Sequence, residues 1–415
     1  MKKILSAIAI GVLALIVGAC NDEAIDISTV NQQTVLVYMP WSGSGSKAGL
    51  YQNFLDNLDS IEVAIERKGG LDKSRLLVFI SESASSSRLY EVTYENKEIK
   101  HRDIKTYSGH DYTTAGGIAQ ILNDVKKTAE ALNYAMIIGC HGTGWTHIDD
   151  WQDYPNNAKS QQPTPSSVGE TPWPAKLNDD SSPYEQTRFY GSVSDMSYST
   201  DVETLAEAIR LASLHMQFIL FDDCYMANAE VAYELRDVTN FLIASTSEVI
   251  SIGMPYADMW ASLATPTPNY GTAVSAFYNY YSDYSTPCGA LSAIDCRQME
   301  ALADVMKQIN EHYTLPDSLL ESIQLLDGFN VPIFYDMGDY VEKLCTDPYL
   351  YEKFSAQLAK TVVSKASTSR VYSFLYVIPQ FITVETFSGI TISDPSPSPV
   401  AERGKTKTSW WKATH

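Results

Sequence analysis

"MQFILFDDCYM", residues 216–226, begins as an apolar run and ends on two carboxylates and a thiol. A short apolar run without helical spacing reads as a strand buried on both faces, as in parallel sheets. In such sheets ligands bind beyond the carboxyl ends of the strands, so Asp222, Asp223 and Cys224 sit where chemistry is expected. A carboxylate beside a thiol opposes the reactive thiolate, and the arrangement therefore needs a reason. Side chains alternate along a strand, which puts Asp222 and Cys224 on one face and Asp223 on the other. Asp222 is then placed to meet a basic side chain of a substrate, while Asp223 holds a loop or caps the next helix. A helix starting near Met226 would bring its positive end close to Cys224 and partly offset the acids.

A second run, "YAMIIGC" at 134–140, delivers His141-Gly142 in the same manner. If the two strands are neighbours, His141 and Cys224 meet at one mouth of the sheet, although 83 positions separate them. A thiol within reach of an imidazole is an activated nucleophile. Gly142 has no Cβ, so its N–H can approach a substrate carbonyl and form an oxyanion hole with the N–H of Cys224. Trp145 is placed as a pocket wall or as a lid over the sheet edge. Glu248, in "TSEVIS", offers a second acidic wall or is a solvated loop glutamate.

Further strands are expected at "TVLVYM" (34–39), "RLLVFI" (75–80), "FLIAS" (241–245) and "CGALSAI" (288–294), with a hairpin arm at "RLYEVTY" (88–94). Between them Leu50, Phe54, Leu58, Ile61 and Ile65 recur at helical spacing until Gly69-Gly70, and Ile118, Ile121, Leu122 and Val125 mark a second helix. "DVETLAEAIRLA" at 201–212 predicts a third, with Asp201 as its N-cap. This alternation is that of an α/β fold with a mostly parallel sheet flanked by helices. Residues 146–195 interrupt it with a long stretch rich in Pro, Ser, Asn and Asp, a length that is usually functional when it occurs inside a domain. The boundaries drawn are 1–20 for a signal, 21–33 for a tether, 34–298 for the main α/β domain and 299–415 for a smaller C-terminal α+β subdomain.

Lys2 and Lys3 precede an uncharged stretch from Leu5 to Val17, closed by Val17-Gly18-Ala19-Cys20. This is the pattern of a secretory signal, and its end resembles a bacterial lipobox, which makes Cys20 the lipid attachment site. The expected place is the bacterial cell envelope, periplasmic or at the cell surface, held to the membrane by the lipid alone. With a net charge of −20 over 415 residues, nucleic acid is excluded as a natural partner. Five further cysteines, an odd number without regular spacing, argue against a disulfide framework and leave at least one free thiol. No G-x-S-x-G elbow, zinc helix or phosphate loop is present, so no cofactor or metal is assigned. "HIDDWQD" at 147–153 lacks the spacing of a calcium loop and reads as a solvated acidic segment, with a calcium requirement left open. A monomer is expected.

"IIGCHGTGW" and "ILFDDCYMANAEVAYEL" resemble the His and Cys blocks of the clostripain family, cysteine peptidases of the caspase-like clan. The similarity extends to "TVLVYMPW", "ASTSEVISIGMPY", "FSGITIS" and "WWKATH", and so covers most of residues 34–415. One departure is "PWSGSGSKAG", where relatives carry an Asp-Asn pair. The resemblance implies a caspase-like fold and an endopeptidase acting on protein or peptide substrates after Arg or Lys. In that reading Cys224 attacks the scissile carbonyl, His141 protonates the leaving amine, Gly142 helps to hold the oxyanion, and Asp222 lies at the base of the specificity pocket. It also implies self-processing in the long loop, with Lys159, Lys176 and Arg188 as candidate sites. The alternatives are an inactive caspase-like surface module that binds basic peptides without cleaving them, and a thiol acyl-transferase or amidase using the same pair.

Overall fold

The computed structural model describes residues 30–42, 49–151, 190–192, 195–373 and 381–415. Cys20, Lys159, Lys176 and Arg188 lie outside these residues, as do the signal, most of the tether and Gly43–Ala48.

A nine-stranded sheet forms the centre, built from β1 (Gln33–Met39), β2 (Ser74–Ser83), β3 (Ser86–Glu95), β4 (Glu98–Ser108), β5 (Asn133–Gly139), β6 (Met216–Asp222), β7 (Phe241–Ala244), β8 (Ala290–Asp295) and β9 (Val362–Ser367). Its spatial order is β9-β8-β7-β6-β5-β1-β2-β3-β4. The five central strands, β2, β1, β5, β6 and β7, run parallel, and antiparallel strands close both edges. The middles of the central strands are apolar because both faces are covered: Val35–Met39 and Leu76–Ile80 are at most 2% exposed. The predicted strands are present, with ends shifted by a few residues. β4 was not expected, because its sequence is charged and it lies at an edge, largely exposed.

The helices follow the predicted spacing. α1 (Tyr51–Lys68) buries Phe54, Leu58, Ile61 and Ile65 and stops at Gly69, whose φ of 81° lets its N–H reach the Glu66 carbonyl. α2 (Ala115–Thr128) starts at Thr114, whose hydroxyl accepts the Gly117 N–H at 3.1 Å. α3 (Val202–Leu211) begins after Asp201, but that carboxylate does not cap it; it accepts the Ile148 N–H at 3.2 Å instead. Then come α4 (Ala229–Glu234), α5 (Tyr256–Leu263), α6 (Tyr270–Ser282) and α7 (Met299–Asn310). α1 packs against α5 and α5 against α6, while α2 packs against α3.

Residues 299–415, expected as a separate subdomain, supply β9 to this same sheet. Their apolar side chains, Met306, Phe334 and Trp410 among them, belong to the same core as β1 and β5. In the acidic segment after Trp145, Asp149 is exposed as expected, but Asp150 is 2% exposed and paired with Lys407. Among the described residues no helix is long and apolar enough to cross a membrane, and the five cysteines are all free.

Candidate active site

Strands β5 and β6 lie side by side, in a parallel register that sets Gly139 opposite Asp222. Each chain then leaves the sheet, one into Cys140-His141-Gly142 and the other into Asp223-Cys224. His141 and Gly142 form a short antiparallel pairing with Gly191 and Tyr190, which in turn pair with Ser199 and Thr200. Gly142 fits tightly against the opposite segment: a Cβ there would stand 2.6 Å from Asp223 Cβ and 2.8 Å from the Cys224 carbonyl oxygen. The sheet thus brings His141, Gly142 and Cys224 to one mouth.

Cys224 is half-buried, and its Sγ accepts the Val249 N–H at 3.3 Å while lying 3.6 Å from the Val249 carbonyl. The next residue, Tyr225, has a φ of 62°, a left-handed conformation that a tyrosine adopts only when its surroundings hold it there. Its carbonyl accepts the Asn228 amide at 2.7 Å, its ring stacks on Phe334 at 5.2 Å, and its hydroxyl donates to Glu248 Oε1 at 2.7 Å. Ser373 donates to the same Glu248 oxygen, also at 2.7 Å. Glu248 is therefore an anchor for the residue after Cys224, already engaged by two hydroxyls, rather than a bare acidic wall.

Burial first, and then the nearby Glu248 charge, pushes the Cys224 thiol well above its ordinary range. Burial lowers the His141 imidazole to about 4. At rest the Cys224 thiol and the His141 imidazole are accordingly both neutral. The expected help from a helix end is small, since α4 starts at Ala229, three residues later than predicted, and has only six residues. Its N-terminal N–H of Val231 is already taken by the Asn228 side chain.

The two acids diverge as alternation predicts. Asp222 Oδ2 accepts the Tyr256 hydroxyl at 2.9 Å, the Met254 N–H at 3.2 Å and the Asn57 amide at 3.3 Å. Its Oδ1 is buried and has no hydrogen-bond partner among the described residues. Burial raises this carboxyl to about 6 in spite of the Met254 N–H and the Tyr256 hydroxyl, which act in the opposite direction. Gly253, at a φ of 69°, closes over it: a Cβ there would lie 2.6 Å from Asp222 Oδ2, and the Gly253 carbonyl is held by Tyr281 at 2.6 Å. Asp223 turns the other way and accepts the Cys140 N–H at 2.6 Å and the Cys140 thiol at 3.3 Å.

Trp145 is not a pocket wall. It is 4% exposed, its indole N–H donates to Ser393 Oγ at 2.8 Å, and its ring fills the space beside Gly404. Asn57, Gly253, Tyr256 and Tyr281 were not singled out from the sequence. They come from α1, α5, α6 and the segment before α5, and only the tertiary fold brings them to Asp222. Among the described residues no group of His, Cys, Asp and Glu side chains could hold a metal ion.

Comparison with known proteins agrees with this layout. The model of the clostripain family matches residues 180–369. A secreted C11 cysteine protease from Bacteroides thetaiotaomicron is similar over 93% of this chain and 99% of its own, at 40% identity and a TM-score of 0.80. A clostripain from Bacteroides thetaiotaomicron ATCC 29148, in complex with the peptide inhibitor BTN-VLTK-AOMK, is 47% identical over 55% of this chain and 99% of its own, with a TM-score of 0.53. An inactive zymogen C11 protease from Parabacteroides distasonis shares the fold at 24% identity, with a TM-score of 0.74 over 93% of this chain and 99% of its own. No curated protein matches the sequence. A parallel sheet that carries His141 and Cys224 on adjoining strand ends, similar over nearly its whole length to a C11 protease, belongs to the clostripain family of cysteine proteases.

Proposed function

We propose that the chain is an endopeptidase that cleaves after Lys or Arg, with Cys224 as nucleophile and His141 as its proton carrier. The observation that carries this reading is the parallel register of β5 and β6, which delivers both residues to one mouth of the sheet. Because the resting groups are neutral, the thiol proton passes to the imidazole as Sγ attacks the scissile carbonyl carbon. The oxyanion that forms is within reach of the backbone N–H groups of Gly142 and Cys224. The imidazolium then gives its proton to the leaving amine, and a thioester remains on Cys224. Water, deprotonated by His141, hydrolyses the thioester and releases the new carboxylate. The low basicity of the imidazole suits the donor step, and the Val249 N–H stabilises charge on sulfur during the attack.

Specificity for a basic residue rests on Asp222, a buried carboxylate with one unpartnered oxygen inside a cup of hydrogen-bond donors. A lysine or arginine entering that cup supplies the missing partner, and a neutral side chain would leave the oxygen desolvated. The related clostripain bound to an inhibitor with a peptide ending in lysine points the same way. An extracytoplasmic setting agrees with the secreted relative.

The test uses peptide reporters with Arg, Lys or Asp at P1, supplied to the protein and to Cys224→Ala. Turnover of the Arg and Lys reporters alone, abolished in the variant, is the expected result. Preference for Asp at P1 would remove the assignment of Asp222, and turnover surviving in Cys224→Ala would remove that of the nucleophile. Tight binding of basic peptides with no cleavage would favour a binding module.

A further inference from the structure

The backbone ladder between β5 and β6 ends at Gly139 and Asp222. Past that point no sheet hydrogen bond sets the distance between the two reactive segments. The contact that takes over comes from Asp223. We propose that Asp223 is a positioning residue that brackets His141 from both sides and ties it to Cys224.

Three observations support this. Asp223 immediately precedes Cys224, so its position is fixed to that of the nucleophile by one peptide unit. On the near side of His141, Asp223 accepts the Cys140 N–H at 2.6 Å through Oδ1 and the Cys140 thiol at 3.3 Å through Oδ2. On the far side, its Cβ lies where a Gly142 Cβ would be, only 2.6 Å away, so it forms the floor under that glycine. The residues before and after His141 therefore both rest on one side chain. A shift of either segment along its strand would break two hydrogen bonds or drive Gly142 into Asp223.

The chemistry of the group argues against simple filling of space. Asp223 is 1% exposed, and burying a carboxyl is costly unless its bonds matter. Burial holds this group well above the usual carboxylate range, with the Asp222 charge adding to the rise. A protonated or amide side chain can still accept the Cys140 N–H through one oxygen and donate to the Cys140 sulfur. An alanine can do neither. Asp223 touches neither substrate nor the reacting atoms, and its action is through the segments that carry them.

The proposal rests on the assignment of Cys224 and His141 above, and the experiment separates the two. Steady-state kinetics on a Lys-P1 reporter are measured for the full chain and for Asp223→Ala, Asp223→Asn and Cys224→Ala, together with alkylation of Cys224 by iodoacetamide. A displacement of about 1 Å between reacting groups lowers a rate by roughly 100-fold. Asp223→Ala is accordingly expected to lose about 10- to 100-fold in kcat at nearly unchanged KM, because Asp222 is untouched. Asp223→Asn should recover most of it, and iodoacetamide, which needs no partner positioned by Cys140, should react with both at rates close to that of the parent. A kcat for Asp223→Ala within twofold of the parent, a loss confined to KM, or an Asn variant as slow as the Ala variant would each overturn the proposal. If Asp223→Ala does not fold, Cys140→Ala decides: it keeps the backbone bond and loses the thiol bond, so a several-fold lower kcat is expected and an unchanged kcat is fatal. Turnover by Cys224→Ala would instead bring down the assignment of the nucleophile, whatever Asp223 does.

Discussion

On one side of the strand end, Asp222 sits in a cup made by Gly253, Tyr256 and Asn57, with an oxygen left over. On the other side, Asp223 spends both oxygens on Cys140 and has none to offer a ligand. The two carboxylates are neighbours in sequence and both are buried, yet one keeps an oxygen without a hydrogen-bond partner among the described residues and the other has both oxygens engaged. Partner count, more than burial or charge, separates the two acids here.

The largest effect should come from removing the charge in the cup. Asp222→Asn is expected to lower kcat/KM for Lys- and Arg-P1 reporters by about 100-fold or more, since a buried charge pair is broken from one side. Its pH profile sharpens the comparison. Asp222 is raised from 3.8 to about 6, so it is protonated below that value and cannot hold a cation. In the parent, kcat/KM should fall below about pH 6 for basic reporters, and in Asp222→Asn that limb should vanish. A limb that stays in the variant would assign it to another group. The same shift has a stability consequence of definite sign: the native state binds this proton more tightly than the unfolded chain, so the contribution of Asp222 is greatest at low pH and declines as the pH rises from 3.8 to about 6.

Next in size is a change to the shape of the cup with its charge left in place. Gly253→Ala would put a Cβ 2.6 Å from Asp222 Oδ2 and 2.7 Å from the Asn57 amide nitrogen, at a φ that favours glycine. A KM about tenfold higher for basic reporters is expected, with a stability loss of about 1–2 kcal/mol from the backbone strain. Unchanged KM values would show that the substrate does not enter beside Gly253. The smallest effect concerns an acid outside both arrangements. Glu248→Gln keeps an acceptor for Tyr225 and removes the charge that, after burial, does most to raise the thiol. Alkylation of Cys224 near neutral pH should speed up a few-fold, and an unchanged rate would show that burial alone governs the thiol.

Much of the framework was readable from the chain. The central strands announce themselves because burial on both faces demands apolar residues without a break, and the helices because one face must be apolar every third or fourth residue. Asp222 and Asp223 diverge as alternation led one to expect, although the strand ends at Asp222 and Asp223 already lies in the bend that follows. β4 escaped notice because an exposed edge strand such as "EIKHRDIKTYS" is under no demand to be apolar. Trp145 was misplaced because an aromatic residue after a reactive loop looks the same whether it lines a pocket or is held inside by Ser393. The cup was unreadable for a different reason. Asn57 is 165 positions from Asp222, and nothing local in α1 marks which of its polar residues will turn inward. The joining of Val362–Ser367 to the central sheet was unreadable likewise, because a strand so half-polar does not reveal which sheet it will join.

The pairing of His141 and Gly142 with Tyr190 and Gly191 has a consequence for connectivity. The described residues on both sides of 152–189 are held by contacts with distant parts of the chain. The stretch that precedes this segment is fastened to the C-terminal part of the molecule, where Arg403 donates to the Asp150 carbonyl at 2.9 Å and Lys407 pairs with the Asp150 carboxylate. The stretch that follows it is stitched to His141 itself. The chain on either side of these residues is thus anchored separately, one end to the C-terminal segment and the other beside His141.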